Sequence, residues 1–187
     1  MIILGADECG YGSCAGPLVV CGVIQDESWT ESYLVDSKKL TYDSLVPRVE
    51  LLLQIPDLKY KIASKTNVQI DAEGLGVCLR QCYFELFSWG ESLGISKMMV
   101  DGNLNFDNSR IESHIKGDSI FPTIMAASMI GKVTRDQYMK LEIDPQYSEY
   151  GFKNHVGYLT KEHKAALVKH GFSDIHRKSY KIKGFNK

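Results

Sequence analysis

Apolar runs alternate with polar, glycine-rich breaks along most of this chain. Residues 2–7 and 17–24 are almost wholly apolar, and 58–64 alternates apolar with polar positions; all three read as strands. Residues 41–54 carry a helical pattern that opens near Thr41 and stops before Pro56. From Asn67 to about Leu93, Leu75, Leu79, Cys82, Tyr83 and Leu86 recur at helical spacing, which predicts one or two helices, with Gly74 and Gly76 weakening the early part. Lys97–Val100 reads as a short strand ending at Asp101-Gly102-Asn103, and 112–118 as another ending at Asp118. Pro122 opens a helix to about Leu141, a loop surrounds Pro145, and a last helix spans 161–169 before Gly171. Strands come first and helices follow, with some alternation. The expected fold is a mixed α/β sheet flanked by helices, with a helical C-terminal extension.

The 187 residues suit one domain, read as a core over 1–145 and a C-terminal segment, 146–187, packed on it. A net charge of −1 argues against a protein that binds nucleic acid by bulk charge. The charge is uneven, however: from Phe152 onward nine Lys and Arg face only Glu162 and Asp174. An acidic body with a basic tail suits metal at one place and a polyanion at another, although such a tail is also what an ordinary solvated terminus looks like. The five cysteines form no CxxC pair, which argues against zinc and for free thiols in a reducing compartment. Nothing resembles a leader peptide or a membrane span, so a cytoplasmic protein without membrane contact is expected, with a monomer as the default.

The candidate chemistry sits at strand ends. Asp7 and Glu8 close the first apolar run, and a loop with Gly10, Gly12 and Gly16 follows. Adjacent carboxylates repel, and a hard divalent cation, Mg²⁺ or Mn²⁺, resolves the repulsion. Glycines let a backbone approach a ligand and turn its N–H groups toward oxygen. Asp101 and Asp118 end other runs. Four carboxylates at one sheet edge would suit two hard ions about 3.5–4 Å apart, the arrangement used for phosphodiester cleavage. Taken singly, each acid also fits a plain turn, as D-G does at 101–102. Ser128, Lys132 and Arg135, spaced by four and three, share a helix face able to follow phosphates. Ser37, Lys38 and Lys39 read by themselves as a solvated loop before a helix cap at Thr41, and Tyr158 as core packing. His155, His163 and His176 read as structural or phosphate-near, none as a general base.

Seven segments, in order and over nearly the whole length, resemble ribonuclease HII: ADECGYGSCAGPLVV (6–20), DSKKLT (36–41), VDGN (100–103), KGDS (116–119), AASMIGKVTRDQYM (126–139), YGFKNHVGY (150–158) and HGFSDIHRKSY (170–180). The resemblance implies a ribonuclease H-like fold. It implies hydrolysis of RNA paired with DNA and cutting 5′ of ribonucleotides embedded in duplex DNA, leaving 3′-hydroxyl and 5′-phosphate ends. It assigns catalysis and two metal ions to Asp7, Glu8, Asp101 and Asp118. Substrate contacts fall on Gly10, Tyr11 and Gly12, on Ser37, Lys38 and Lys39, and on Tyr158, which would pack on the sugar at the DNA side of the junction. The family's glycine loop reads Gly-Arg-Gly and senses the ribose 2′-hydroxyl through its backbone, the group that separates RNA from DNA. Here Tyr11 replaces the arginine, removing a charge. Gly131 replaces a usual alanine, a cost of about 1 kcal/mol to that helix. Three rivals stand beside this reading. A ribonuclease HIII would carry an extra N-terminal domain, whereas the first catalytic strand here begins at residue 2. A small-molecule phosphotransferase would ignore duplexes. A binding module would not need the acids.

Overall fold

The structure, a computed structural model, describes residues 1–182, apart from the side chain of Lys39. Five strands form one sheet: β1 (Ile2–Cys9), β2 (Leu18–Asp26), β3 (Lys59–Lys65), β4 (Met98–Asp101) and β5 (Ile111–His114), in the order β3-β2-β1-β4-β5. β1 pairs antiparallel with β2, and β2 with β3; β4 runs parallel to both β1 and β5. The sheet is mixed, as the sequence pattern predicts.

Helices cover both faces. α2 (Asn67–Glu73) and α3 (Leu75–Ser92) are one apolar run broken at Gly74. The α3 residues Cys82, Tyr83 and Leu86 pack with Leu4, Ala6, Leu18 and Val20 from one sheet face. On the other face α1 (Tyr42–Leu53) and α4 (Pro122–Gln137) pack against Cys21 and Val23. The alternation of strand side chains sorts these residues, since successive positions point to opposite faces. α4 lies close on the sheet. A methyl at Gly131 would sit 3.2 Å from Cys21 Cβ, so the glycine that weakens the helix also fits the gap.

Two expectations shift. The last strand ends at His114, not at residue 118, and Asp118 sits on a short 3₁₀ turn (Gly117–Ser119) that leads into α4. The long helix ends its α-helical part at Gln137, and one wider turn, Tyr138–Ile143, carries the chain on. Beyond it, α5 (Phe152–His155) and α6 (Lys161–His170) form a third core. There Phe152, Tyr150 and Leu167 pack with Cys14 and Ala15 from the loop after β1. The C-terminal segment therefore braces the glycine loop directly. Among the described residues no helix is long and apolar enough to cross a membrane.

Candidate active site

Topology brings the acids together. β1 and β4 are parallel neighbours, with Ala6 opposite Val100, so the next residues, Asp7 and Asp101, emerge side by side at the carboxyl ends of both strands. Carboxyl ends of parallel strands are where open sheets bind ligands. Asp7 is buried on the α4 side, and Glu8 turns toward α3. Carboxylate oxygens of Asp7, Glu8 and Asp101 lie within 4.8 Å of one another. The Asp118 N–H donates to Asp101 Oδ1 at 3.4 Å, which ties the fourth acid to the same edge. Asp118 itself is buried, and its Oδ2 accepts from Lys38 Nζ at 2.6 Å. Partial burial works to lower the Lys38 ammonium, but the Asp118 contact outweighs it and holds the group above its ordinary value.

The cluster is electrostatically unfinished. Burial, with Glu8 beside it, pushes Asp7 up to about 8. Burial raises Glu8 as well. A divalent cation would offset this cost of gathering buried carboxylates, and an all-oxygen donor set suits Mg²⁺ or Mn²⁺. Beneath Glu8, the buried Tyr83 hydroxyl has no hydrogen-bond partner among the described residues, and burial together with the Glu8 charge holds its phenol well above the ordinary value. The residues present therefore fit a divalent metal centre.

A cleft of about 370 Å³ opens over the acids. Gly10, Tyr11, Gly12, Ser37, Lys38, Ser128, Lys132 and Tyr158 line it together with Asp7, Glu8 and Asp101. Ser37 and Ser128 meet at 2.9 Å, which fixes the 37–39 turn against α4. Lys132 Nζ donates to Asp136 Oδ2 at 2.8 Å. Tyr158 is partly exposed at the rim. Asp118 is held just behind the cleft, and the side chain of Lys39 lies outside the described residues.

Arg135 is a correction. It shares a helix with Ser128 and Lys132, yet it is fully buried and does not face phosphates. Its guanidinium donates to the carbonyls of Pro17, Ala15 and Val156 and to Ser13 Oγ, so all three nitrogens are engaged. Gly10 adopts φ +84°, and any Cβ there would collide with the Arg135 side chain. Tyr158 rests over the same guanidinium at 5.5 Å. Arg135 is thus the strut on which loop and tyrosine are mounted.

Sequence reasoning assigned no role to Arg177 or Tyr180, although both lie in a family-like segment. Arg177 is counted in the basic tail but is completely buried. Lys161, Lys164, Lys169 and Lys178 are exposed, and Lys183 and Lys187 lie outside the described residues. The three histidines are buried together, behind Tyr158. His163 Nδ1 meets the Tyr158 carbonyl at 3.0 Å, and its Nε2 meets His176 Nε2 at 3.0 Å. Burial pushes both His163 and His176 down to about 4. Neutral imidazoles with committed nitrogens are structural.

Acids at the carboxyl edge of a mixed sheet, beside a groove lined by glycines, serines, lysines and tyrosines, suit a metal-dependent nuclease of the ribonuclease H class. Comparison with known proteins narrows this. The family model for Ribonuclease HII matches residues 4–183. Ribonuclease HII of Francisella tularensis subsp. novicida (strain U112) is 42% identical over 185 residues, 97% of each chain. Ribonuclease HII of Aliarcobacter butzleri (strain RM4018) is 39% identical over 182 residues, covering 97% of this chain and 91% of its own. Among solved structures, the PCNA:RNase HII complex from Archaeoglobus fulgidus matches with a TM-score of 0.80 at 22% identity, covering 100% of this chain and 98% of that one. Bst-RNase HIII in complex with Mn²⁺ matches with a TM-score of 0.66 at 15% identity, over 90% of this chain and 70% of that one. At such identities the structural likeness speaks for the fold alone. The chain belongs to the ribonuclease HII family, and is a metal-dependent endoribonuclease with ribonuclease H activity on RNA–DNA hybrids.

Proposed function

We propose that this enzyme cuts the RNA strand of hybrids and also cuts 5′ of single ribonucleotides embedded in duplex DNA, leaving 3′-hydroxyl and 5′-phosphate ends. The observation that carries the reading is the meeting of Asp7, Glu8 and Asp101 within 4.8 Å, directly beside the glycine loop. Asp7, Glu8, Asp101 and Asp118 would hold two divalent ions, Mg²⁺ or Mn²⁺, which when bound supply charge to activate the attacking water and to stabilise the leaving oxygen. The protein's own share is positioning. Parallel β1 and β4 fix three of the acids, and the 117–119 turn fixes the fourth. Lys38 and Lys132 sit at the cleft for phosphates, and the Gly10-Tyr11-Gly12 backbone for the ribose. Tyr158 offers an aromatic face to the sugar on the DNA side. Residues 1–145 serve as the catalytic core and 146–187 as the substrate-binding segment, whose exposed lysines extend the duplex surface. The working form is a cytoplasmic monomer.

The test uses three labelled duplexes with Mg²⁺ or Mn²⁺: DNA with one ribonucleotide, a long RNA–DNA hybrid, and all-DNA. Cutting at the single ribonucleotide with all-DNA untouched is expected. Cutting of the long hybrid alone would refute junction recognition and favour a relaxed, ribonuclease HIII-like specificity, the reading that Tyr11 in place of arginine supports. Asp101→Asn should lose several orders of magnitude in turnover and still bind hybrid.

A further inference from the structure

The glycine loop is a four-residue turn. Ser13 N–H donates to the Gly10 carbonyl, with Tyr11 and Gly12 at the centre. The peptide between two central turn residues is the one that flips between the common turn types, and the flipped form needs φ above zero at the second of them. Gly12 tolerates either sign without steric cost. In the structure Gly12 is not among the residues with positive φ, so one orientation has been selected.

The selecting contacts come from the far end of the chain. The Tyr11 carbonyl accepts from Arg177 Nη1 at 3.0 Å and from the Tyr180 hydroxyl at 3.0 Å. Arg177 Nη1 also donates to the Tyr180 oxygen at 2.8 Å, so the three groups close a ring in which each donor is used consistently. Arg177 Nε anchors the assembly on the Gly16 carbonyl at 3.0 Å. Arg177 is fully buried, and its side chain cannot swing away. A trans peptide sets its N–H opposite its C=O. With the Tyr11 carbonyl held inward, the Gly12 N–H is held outward on the cleft side, where it has no partner among the described residues.

We infer that Arg177 and Tyr180 are positioning residues for ribonucleotide recognition, locking the Tyr11–Gly12 peptide so that the Gly12 N–H is offered to the ribose 2′-hydroxyl. The inference rests on the proposed reading of the glycine loop. It also explains how the loop keeps its geometry with tyrosine at position 11, since the lock grips the backbone and not the side chain.

The test compares two duplexes of one sequence, one with a single ribonucleotide and one all-DNA, bound with Ca²⁺ in place of the catalytic ion so that no strand is cut. Wild-type protein should prefer the ribonucleotide duplex. If it binds both equally, the glycine-loop reading fails and takes this inference with it. Tyr180→Phe keeps the ring and removes one donor. It should lower the preference about fivefold, the worth of one hydrogen bond, while leaving all-DNA affinity unchanged. Arg177→Met should lower it further. Where wild type discriminates, an unchanged preference in Tyr180→Phe, or an equal fall in affinity for both duplexes, would overturn the positioning role. Thermal melting of Tyr180→Phe, expected within a few degrees of wild type, separates that role from loss of fold.

Discussion

Lys38→Met should destabilise the metal-free enzyme, and divalent metal should repair most of the damage. The 2.6 Å pair joins an ammonium that is 68% exposed to an Asp118 carboxylate that is only 3% exposed. Methionine keeps the stem and deletes the charge, leaving Asp118 with a long 3.5 Å contact to Ser119 Oγ. A charge-assisted hydrogen bond is worth about 1.5–3 kcal/mol, and water around the lysine head screens it toward about 1–2 kcal/mol. For a domain of this size each kcal/mol moves the melting temperature by about 2–4 °C, so a drop of roughly 3–6 °C is expected without metal. Saturating Mg²⁺ would place positive charge beside Asp118 in both proteins. The deficit should then shrink, and the metal-induced rise in melting temperature should be larger in the variant. Differential scanning fluorimetry with EDTA and with Mg²⁺ reads both quantities. An equal deficit in the two conditions would refute the idea that lysine and metal neutralise the same carboxylate. No deficit in EDTA would refute the pair's stabilising role.

Three further outcomes follow from the same geometry. Arg135→Met strips donors from three carbonyls and Ser13 Oγ and should cost on the order of 4 kcal/mol in denaturant unfolding; a variant of normal stability with weakened hybrid binding would restore Arg135 to the phosphate face. His163 and His176, held neutral near 4 by burial, contribute stability that is complete above their unfolded value of about 6.5 and is lost as pH falls from there toward 4, on the order of 3 kcal/mol per imidazole. Asp7, raised to about 8, acts in the opposite sense in the metal-free protein, because the folded state keeps its proton while the unfolded state releases it. Asp7→Asn should therefore raise metal-free stability at pH 8 and expose the histidine slope between pH 7 and 4.5; a flat melting profile there would count against the neutral pair. Tyr11→Arg should tighten duplex binding and steepen its logarithmic salt dependence by about 0.9, one phosphate contact, and an unchanged slope would mean that position 11 does not reach a phosphate.

Much of the molecule was legible in sequence because local periodicity carries it. The apolar runs of β1 and β2, the spacing of Leu79, Cys82, Tyr83 and Leu86, and the opening of α4 at Pro122 each follow from which face must be buried. The acids stood out as a set: each singly also fits a turn, but four at the ends of separate runs suit one metal site. Resemblance to a family then attached Asp118, the glycine loop and Tyr158 to one chemistry.

What the sequence alone determined, then, is the element order, the mixed sheet and which acids stand as candidates for one site. What only the tertiary structure decided is which cations face outward. Lys132 and Arg135 share a helix, yet one reaches the cleft and the other is consumed by the Ala15 and Pro17 carbonyls of the loop after β1 and by the Val156 carbonyl. Arg177 reads in sequence as one more charge of a basic tail, and in the fold it grips a carbonyl 166 positions away. Spacing encodes a helix face, but not which distant backbone will lie against it. A buried guanidinium is settled by carbonyls that converge only when the chain has folded. The strand read over 112–118 shows the same limit on a smaller scale: Asp118 was expected at its end and stands on a turn, held at the site by the Asp101 carboxylate and Lys38.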